Sequence, residues 1–239
     1  MFIVYRRDLL AYFRTPVGYV FMGVFLSLSG LLFYLYNLQN LSGDLLTFLS
    51  QLTLLVMLLC PLLTMRLICE ERQKKTDQLL LTSPVSLTGM IVGKYLAAAS
   101  VMMLTVLLTN GYTLVIALCG KVYMGEWLVG YLGFGLQSMA FLALDLFVTC
   151  FAKNQMTGAA AAFGANFLLW MADLLADNLP SGWLSEALQF VSLYDRYEPF
   201  RLGQLSPSGV LFFLTFIAAC LVAAVRVMDA RRFSEGGAA

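Results

Sequence analysis

An all-α polytopic membrane fold with six transmembrane helices is predicted by three features of this 239-residue chain. It is 60% hydrophobic and only 12% charged, where soluble domains average about 45–50% and about 25%. Its apolar residues gather in runs long enough to cross a bilayer, which takes about 20 residues of helix. Twelve of its fifteen Lys and Arg residues fall at the ends of those runs that lie on one side of the membrane.

The first element is carried by "VYRRDLLAYFRTPVGYVFMG", where Arg6, Arg7 and Arg14 stand among aromatic residues and Pro16 precedes a long apolar run. A secretory signal also begins basic and turns apolar, but its apolar run is short and ends at small residues. Val17 to Tyr36 is long enough to span. Residues 1–16 therefore predict an amphipathic interfacial helix on the membrane surface, set off from the first span by Pro16.

Hydropathy over a window of about 19 residues then marks spans near 17–36, 45–65, 87–118, 128–151, 156–175 and 208–227. The third is too long for one straight crossing, and Lys94 near its start predicts that its first turns project from the membrane, with the apolar part beginning at Tyr95. If the N-terminus is cytoplasmic, that side collects Arg6, Arg7, Arg14, Arg66, Arg72, Lys74, Lys75, Lys94, Lys153, Arg226, Arg231 and Arg232, while Lys121, Arg196 and Arg201 remain outside. The positive-inside rule accordingly places both termini in the cytoplasm.

Two connections stand out. Residues 66–86, "RLICEERQKKTDQLLLTSPVS", form a charged cytoplasmic segment in which Ser83 and Pro84 predict a helix stop. Residues 176–207 form a long external segment in which Trp183, Leu184, Ala187, Leu188 and Val191 recur at helical spacing, predicting an amphipathic or re-entrant helix at the outer interface. Residues 228–239 form a cytoplasmic tail whose "SEGGAA" end is expected to be disordered. The three parts are thus the interfacial helix (1–16), the transmembrane domain (17–227) and the tail.

The absence of histidine removes the usual metal ligand and neutral-pH base. Cys60, Cys69, Cys119, Cys150 and Cys220 are too dispersed for a disulfide framework or a zinc site. A phosphate-cradling loop needs an upstream glycine and a Ser or Thr after Gly-Lys; neither Gly93-Lys94 nor Gly120-Lys121 has them, so any ATP must be bound by another chain. The segment at 66–86 reads either as a solvated loop or as a docking element, its leucines in a partner's groove and Glu70, Glu71, Arg72, Lys74 and Lys75 pairing at the rim. Asp145 and Asp173 are candidate intramembrane functional residues, although their places near helix ends equally fit snorkelling or helix packing. The small residues of "TGAAAAFGA", Thr157 to Ala165, predict close helix packing inside the chain.

Taken in order, these motifs resemble the permease subunit of ABC transporters of the type 2 exporter class, most of all the branch containing the gliding-motility permeases. "YRRDLLAYFRTPVGYVF" is similar to that family's interfacial helix. "LTMRLICEERQKKTDQLLLTSPVSLTGMIVGKYLAA" is similar to its signature, in which an acid pair, a basic cluster, a Thr with a leucine run and a Pro lead to Gly-Lys at the foot of the third span. "TCFAKNQMTGAAAAFG" and "YDRYEPFRLGQL" resemble the loop after span four and the approach to the last span. Lys75 stands where the family commonly has glycine, Asp77 where a less polar residue is frequent, and Asp145 where a small or apolar one is expected.

The resemblance implies a multi-pass subunit of the bacterial cytoplasmic membrane with no catalytic residues of its own, paired with a second, identical or related permease and with two cytoplasmic ABC ATPase subunits that bind ATP and Mg. Residues 66–86 would be the coupling helix, with Glu70, Glu71, Arg72, Lys74, Lys75, Thr76, Leu79, Leu80 and Pro84 at the ATPase. The foot carrying Arg6, Arg7, Arg14 and Pro16 would pack beside it in contact with lipid, and residues 176–207 would close the outer mouth. One alternative is a membrane anchor that transmits force to an extracytoplasmic partner at 176–207 and moves no solute; another is an ion-coupled carrier using Asp145 and Asp173. Nothing in the charge pattern points to nucleic acid.

Overall fold

The computed structural model describes residues 1–73, 86–119, 123–178 and 192–236. Among these the regular structure is helical, and six helices are long and apolar enough to cross a membrane: Pro16–Leu38, Leu45–Gln73, Leu87–Leu118, Met124–Thr149, Gln155–Leu175 and Pro207–Arg231. The chain is an all-α multi-pass membrane protein.

Helix α1 (Phe2–Arg14) ends where Thr15 turns extended, at φ −109° and ψ 156°, and Pro16 opens α2 (Pro16–Phe33). Proline disfavours a helical residue before it and suits the first position of a helix, so "Thr-Pro" stops one helix and starts the next. The elbow is tight. A Cβ on Gly18 would stand 2.7 Å from the Tyr12 carbonyl oxygen, a backbone atom that cannot step aside. At its other end α2 runs into a π-helical turn, Tyr34–Leu38. There Asn37 Nδ2 donates to the Ser42 and Asp44 carbonyls, 3.0 and 3.2 Å, folding the chain back into α3 (Leu45–Gln73). The helix of the second span thus continues well past residue 65, and the first part of the charged segment is its last two turns.

The third span is α4 (Leu87–Leu108) and α5 (Asn110–Cys119), interrupted at Thr109. Near its start Lys94 is only 2% exposed, because α1 lies across it. The remaining helices are α6 (Met124–Thr149), α7 (Gln155–Asn178), the short α8 (Glu198–Arg201) and α9 (Pro207–Gly236). Ser234 to Gly236, expected to be disordered, continue the last helix.

Three helices make the centre. About two-thirds of the spans of α3, α4 and α6 is buried, at 67%, 61% and 67%, against 33% for α2 and 17% each for α7 and α9. Lipid tails are as apolar as leucine, so such helices associate by close packing, which small residues permit. The clearest case is Phe200 of α8, fully buried between Gly133 of α6 and Gly209 of α9. The small-residue run on α7 divides: Gly158 packs against Cys69 and Ala162 is buried, as expected of internal packing, whereas Gly164 meets nothing within 4 Å.

Candidate functional site

The densest charged cluster among the described residues lies at the foot of the bundle, where α1 crosses α4 beside the last turns of α3. The crossing depends on Gly89 and Gly93, four residues apart and so on one face of α4. A Cβ on Gly93 would meet the Met1 carbonyl oxygen at 3.0 Å and the Tyr5 nitrogen at 3.3 Å. Tyr5 OH adds a 3.1 Å hydrogen bond with Ser100 Oγ. Gly93→Leu should therefore lift the foot off α4, seen as faster tryptic cleavage after Arg6 and Arg14 with the remaining spans still folded; unchanged cleavage would count against the crossing.

Lys94, one residue on, is the hub. Its Nζ lies 2.7 Å from Glu71 Oε2 and 3.5 Å from Asp8 Oδ2, and donates to the Leu67 carbonyl at 2.7 Å. Arg7 closes the ring, with Nε 2.8 Å from Asp8 Oδ1 and Nη2 2.5 Å from Glu71 Oε1. Partial burial works against the Arg7 charge, but the hydrogen bonds and charges of Asp8 and Glu71 outweigh it and hold its pKa raised. A second set runs beside the first: Arg66 Nε pairs with Glu70 Oε2 at 2.7 Å, its Nη1 donates to Thr15 Oγ1, and Tyr12 OH donates to the Leu63 carbonyl at 2.7 Å. Burial pushes the Tyr12 phenol up, which keeps it a neutral donor. Between the sets lies a cavity of about 240 Å³ lined by Arg7, Asp8, Tyr12, Arg66, Glu70 and Lys94, among others.

Chemically this arrangement joins helices. Its three cations and three carboxylates (Arg7, Arg66 and Lys94 with Asp8, Glu70 and Glu71) tie α1, α3 and α4 together, so a displacement of the end of α3 carries the foot and the third span with it.

The site residues named from sequence take these places. Glu70, Glu71 and Arg72 were expected to present charge at a partner's rim; all three are engaged within the chain. Arg72 donates to the carbonyls of Cys150, at 3.2 Å, and Ala152, fastening α3 to the end of α6. Lys74, Lys75, Thr76, Leu79, Leu80 and Pro84 lie outside the described residues, as do residues 179–191 of the external segment. Of the interfacial residues, Arg7 enters the network, Arg6 and Arg14 stay exposed on α1, and Pro16 makes the elbow. Asp145 does not snorkel: it is fully buried on α6, beside Asn166 and Cys60. Asp173 accepts a hydrogen bond from Ser192 Oγ.

Sequence reasoning passed over Asp8, Tyr12 and the two glycines as site residues. The available signal was an acid within a basic helix and a G-x-x-x-G spacing directly before a lysine.

The fold and site together define a class, a helical multi-pass membrane protein whose charged groups concentrate at one end of its spans. Residues 14–168 match the family described as ABC-2 family transporter protein, and the chain belongs to that family. It is an ABC-type membrane permease, and its sequence contains no nucleotide-binding loop. A search of the curated proteins finds no match.

Proposed function

We propose that this chain is the permease subunit of an ATP-driven exporter of the type 2 class, of the branch that includes the gliding-motility permeases. It works with a second permease, identical or related, and with two ABC ATPase subunits that bind ATP and Mg. It sits in a bacterial cytoplasmic membrane with both termini on the ATPase side, where its foot contacts lipid, and residues 176–207 face an extracytoplasmic partner or the exit.

The observation that carries this reading is the ionic junction of α1, α3 and α4. Residues 74–85 connect α3 to α4, and both helices enter the same network, so a push on that connection reaches the foot and two spans at once. In this reading the docking contacts fall to Lys74, Lys75, Thr76, Leu79, Leu80 and Pro84, while Glu70, Glu71 and Arg72 hold the base from which the segment projects. Charge reversal at Glu71 would set a cation beside Lys94 and damage the junction itself, so it makes a poor test of docking.

The test is affinity purification of the C-terminally tagged chain from its native cells in mild detergent. A nucleotide-binding subunit is expected to co-purify and to be lost when residues 74–81 are scrambled. Its absence under several gentle extractions, or its retention by the scrambled chain, would defeat the proposal. A chain that co-purifies independently of 74–81 and is lost when 179–191 are replaced would identify the extracytoplasmic partner.

A further inference from the structure

Halfway along α3 stands Pro61. Proline has no backbone N–H, so the carbonyl four residues earlier, that of Met57, loses its intrahelical donor. In a membrane such a group must be satisfied from within the protein. The donor comes from another helix: Asn166 of α7, fully buried, gives a hydrogen bond from Nδ2 to the Met57 carbonyl at 3.2 Å. Tyr194, beyond α7 in the chain, donates to Met57 Sδ at 3.5 Å.

The two halves of α3 have different attachments. On the foot side of Pro61, the Leu63 carbonyl is held by Tyr12, the Leu67 carbonyl and Glu71 by Lys94, and Arg66 by Thr15, while Arg72 holds the Cys150 and Ala152 carbonyls at the end of α6 and Cys69 packs on Gly158 of α7. On the far side, Thr53 Oγ1 donates to Gln137 Oε1 of α6 at 3.0 Å, Leu46 and Leu49 pack against Gly130 of α6, and Phe48 sits on Phe33 and Tyr112. One half bears the ionic junction together with the ties to the end of α6 and the start of α7; the other belongs to the packed core of the far end. Pro61 is where they meet, and the ladder bond that would stiffen the joint is missing there.

We propose that Pro61 and Asn166 form a clasped hinge: Asn166 is a positioning residue that, from α7, holds the two halves of α3 in line, and its release lets the foot-side half swing. The arrangement around it suits a bond that is made and broken. Asp145 neighbours both Asn166 and Cys60, the residue before the proline. An amide that leaves the Met57 carbonyl therefore has a second acceptor at hand. Asn166 also keeps an unpartnered Oδ1, so its amide is not saturated.

This deepens the proposed function by naming the member that carries the push, and its test requires no ATPase. Cys60 is the reporter, since it adjoins the hinge and is fully buried. In a chain with Cys69, Cys119, Cys150 and Cys220 replaced by alanine, its rate of alkylation by N-ethylmaleimide is measured in lipid nanodiscs. Asn166→Ala is expected to raise that rate about tenfold, the equilibrium factor carried by one hydrogen bond to a buried carbonyl. Pro61→Ala restores the backbone donor, so adding Asn166→Ala in that background should leave the rate unchanged, although the space opened beside Cys60 is the same. An equal increase in both backgrounds would reduce Asn166 to a packing residue, and no increase in either would remove the clasp. If Asn166→Ala fails to fold, the double variant decides: its recovery as folded chain supports the hinge, and its failure overturns it. Loss of ATPase co-purification leaves this result untouched, so the two readings fail separately.

Discussion

Replacing Lys94 by methionine is expected to release the foot of the bundle and to cost about 3 kcal/mol, the lower end of the range for removing one partner of a buried ion pair. The lower end applies because the Glu71 side chain keeps 20% exposure and the Asp8 side chain 10%, so both retain some solvation once Lys94 is gone. The damage comes less from the lost attraction than from what remains: two carboxylates facing one another with Arg7 as their only cation in the ring, and the Leu67 carbonyl without its added donor. The measurements are the thermal midpoint of the purified chain and the rate of tryptic cleavage after Arg14. Asp8→Asn with Glu71→Gln, placed on Lys94→Met, should recover much of the loss by removing the stranded charges. Should this triple variant be as unstable as Lys94→Met alone, the loss would belong to the volume of the lysine stem, and the ionic junction would not be what holds the foot.

The second large effect is expected at the opposite end. A Cβ on Gly133 would lie 2.4 Å from Phe200 Cβ and 2.5 Å from its Cγ. These atoms sit next to the Phe200 backbone, so rotating the ring gives no relief and α8 itself must leave. Gly133→Leu should destabilise by about 3 kcal/mol, the upper end for overpacking. It should do so locally: hydrogen–deuterium exchange is expected to rise across Tyr197–Gly203 while the helices at the foot keep their protection. Phe200→Gly on the same background removes both clashing atoms and should restore much of the exchange protection. A double variant no better than Gly133→Leu would show that Phe200 is not what the glycine accommodates.

The two sites differ in how far the sequence discloses them. The notch was invisible, because a glycine in an apolar helix says only that something approaches closely, and Phe200 lies 67 positions away in the chain. The foot was half legible. Arg7 and the Glu70-Glu71 pair declared themselves by charge, and Pro16 by its place before an apolar run. For Lys94 the charge at the start of a span was legible but its partners were not, since only α1, folded back over it by the Thr15-Pro16 elbow, takes it out of water. For Glu70, Glu71 and Arg72, a charged segment offers the same residues to a partner or to its own chain, and their contacts with Arg66, Arg7 and the end of α6 are visible only in the fold.

Composition, apolar run lengths and turn residues by themselves determined the class, the number of spans and the separate foot helix, because these follow from local chemistry: a bilayer needs a given length of apolar helix, and a proline stops or starts one. The tertiary structure decided which charges are buried, which glycines are crossings, and that the carbonyl freed by Pro61 is claimed by Asn166 from a helix more than a hundred residues on. Those outcomes depend on which helix lies against which. In an apolar bundle the choice rests on shape complementarity and a few buried hydrogen bonds between distant residues, and no single segment of the chain contains both halves of any of them.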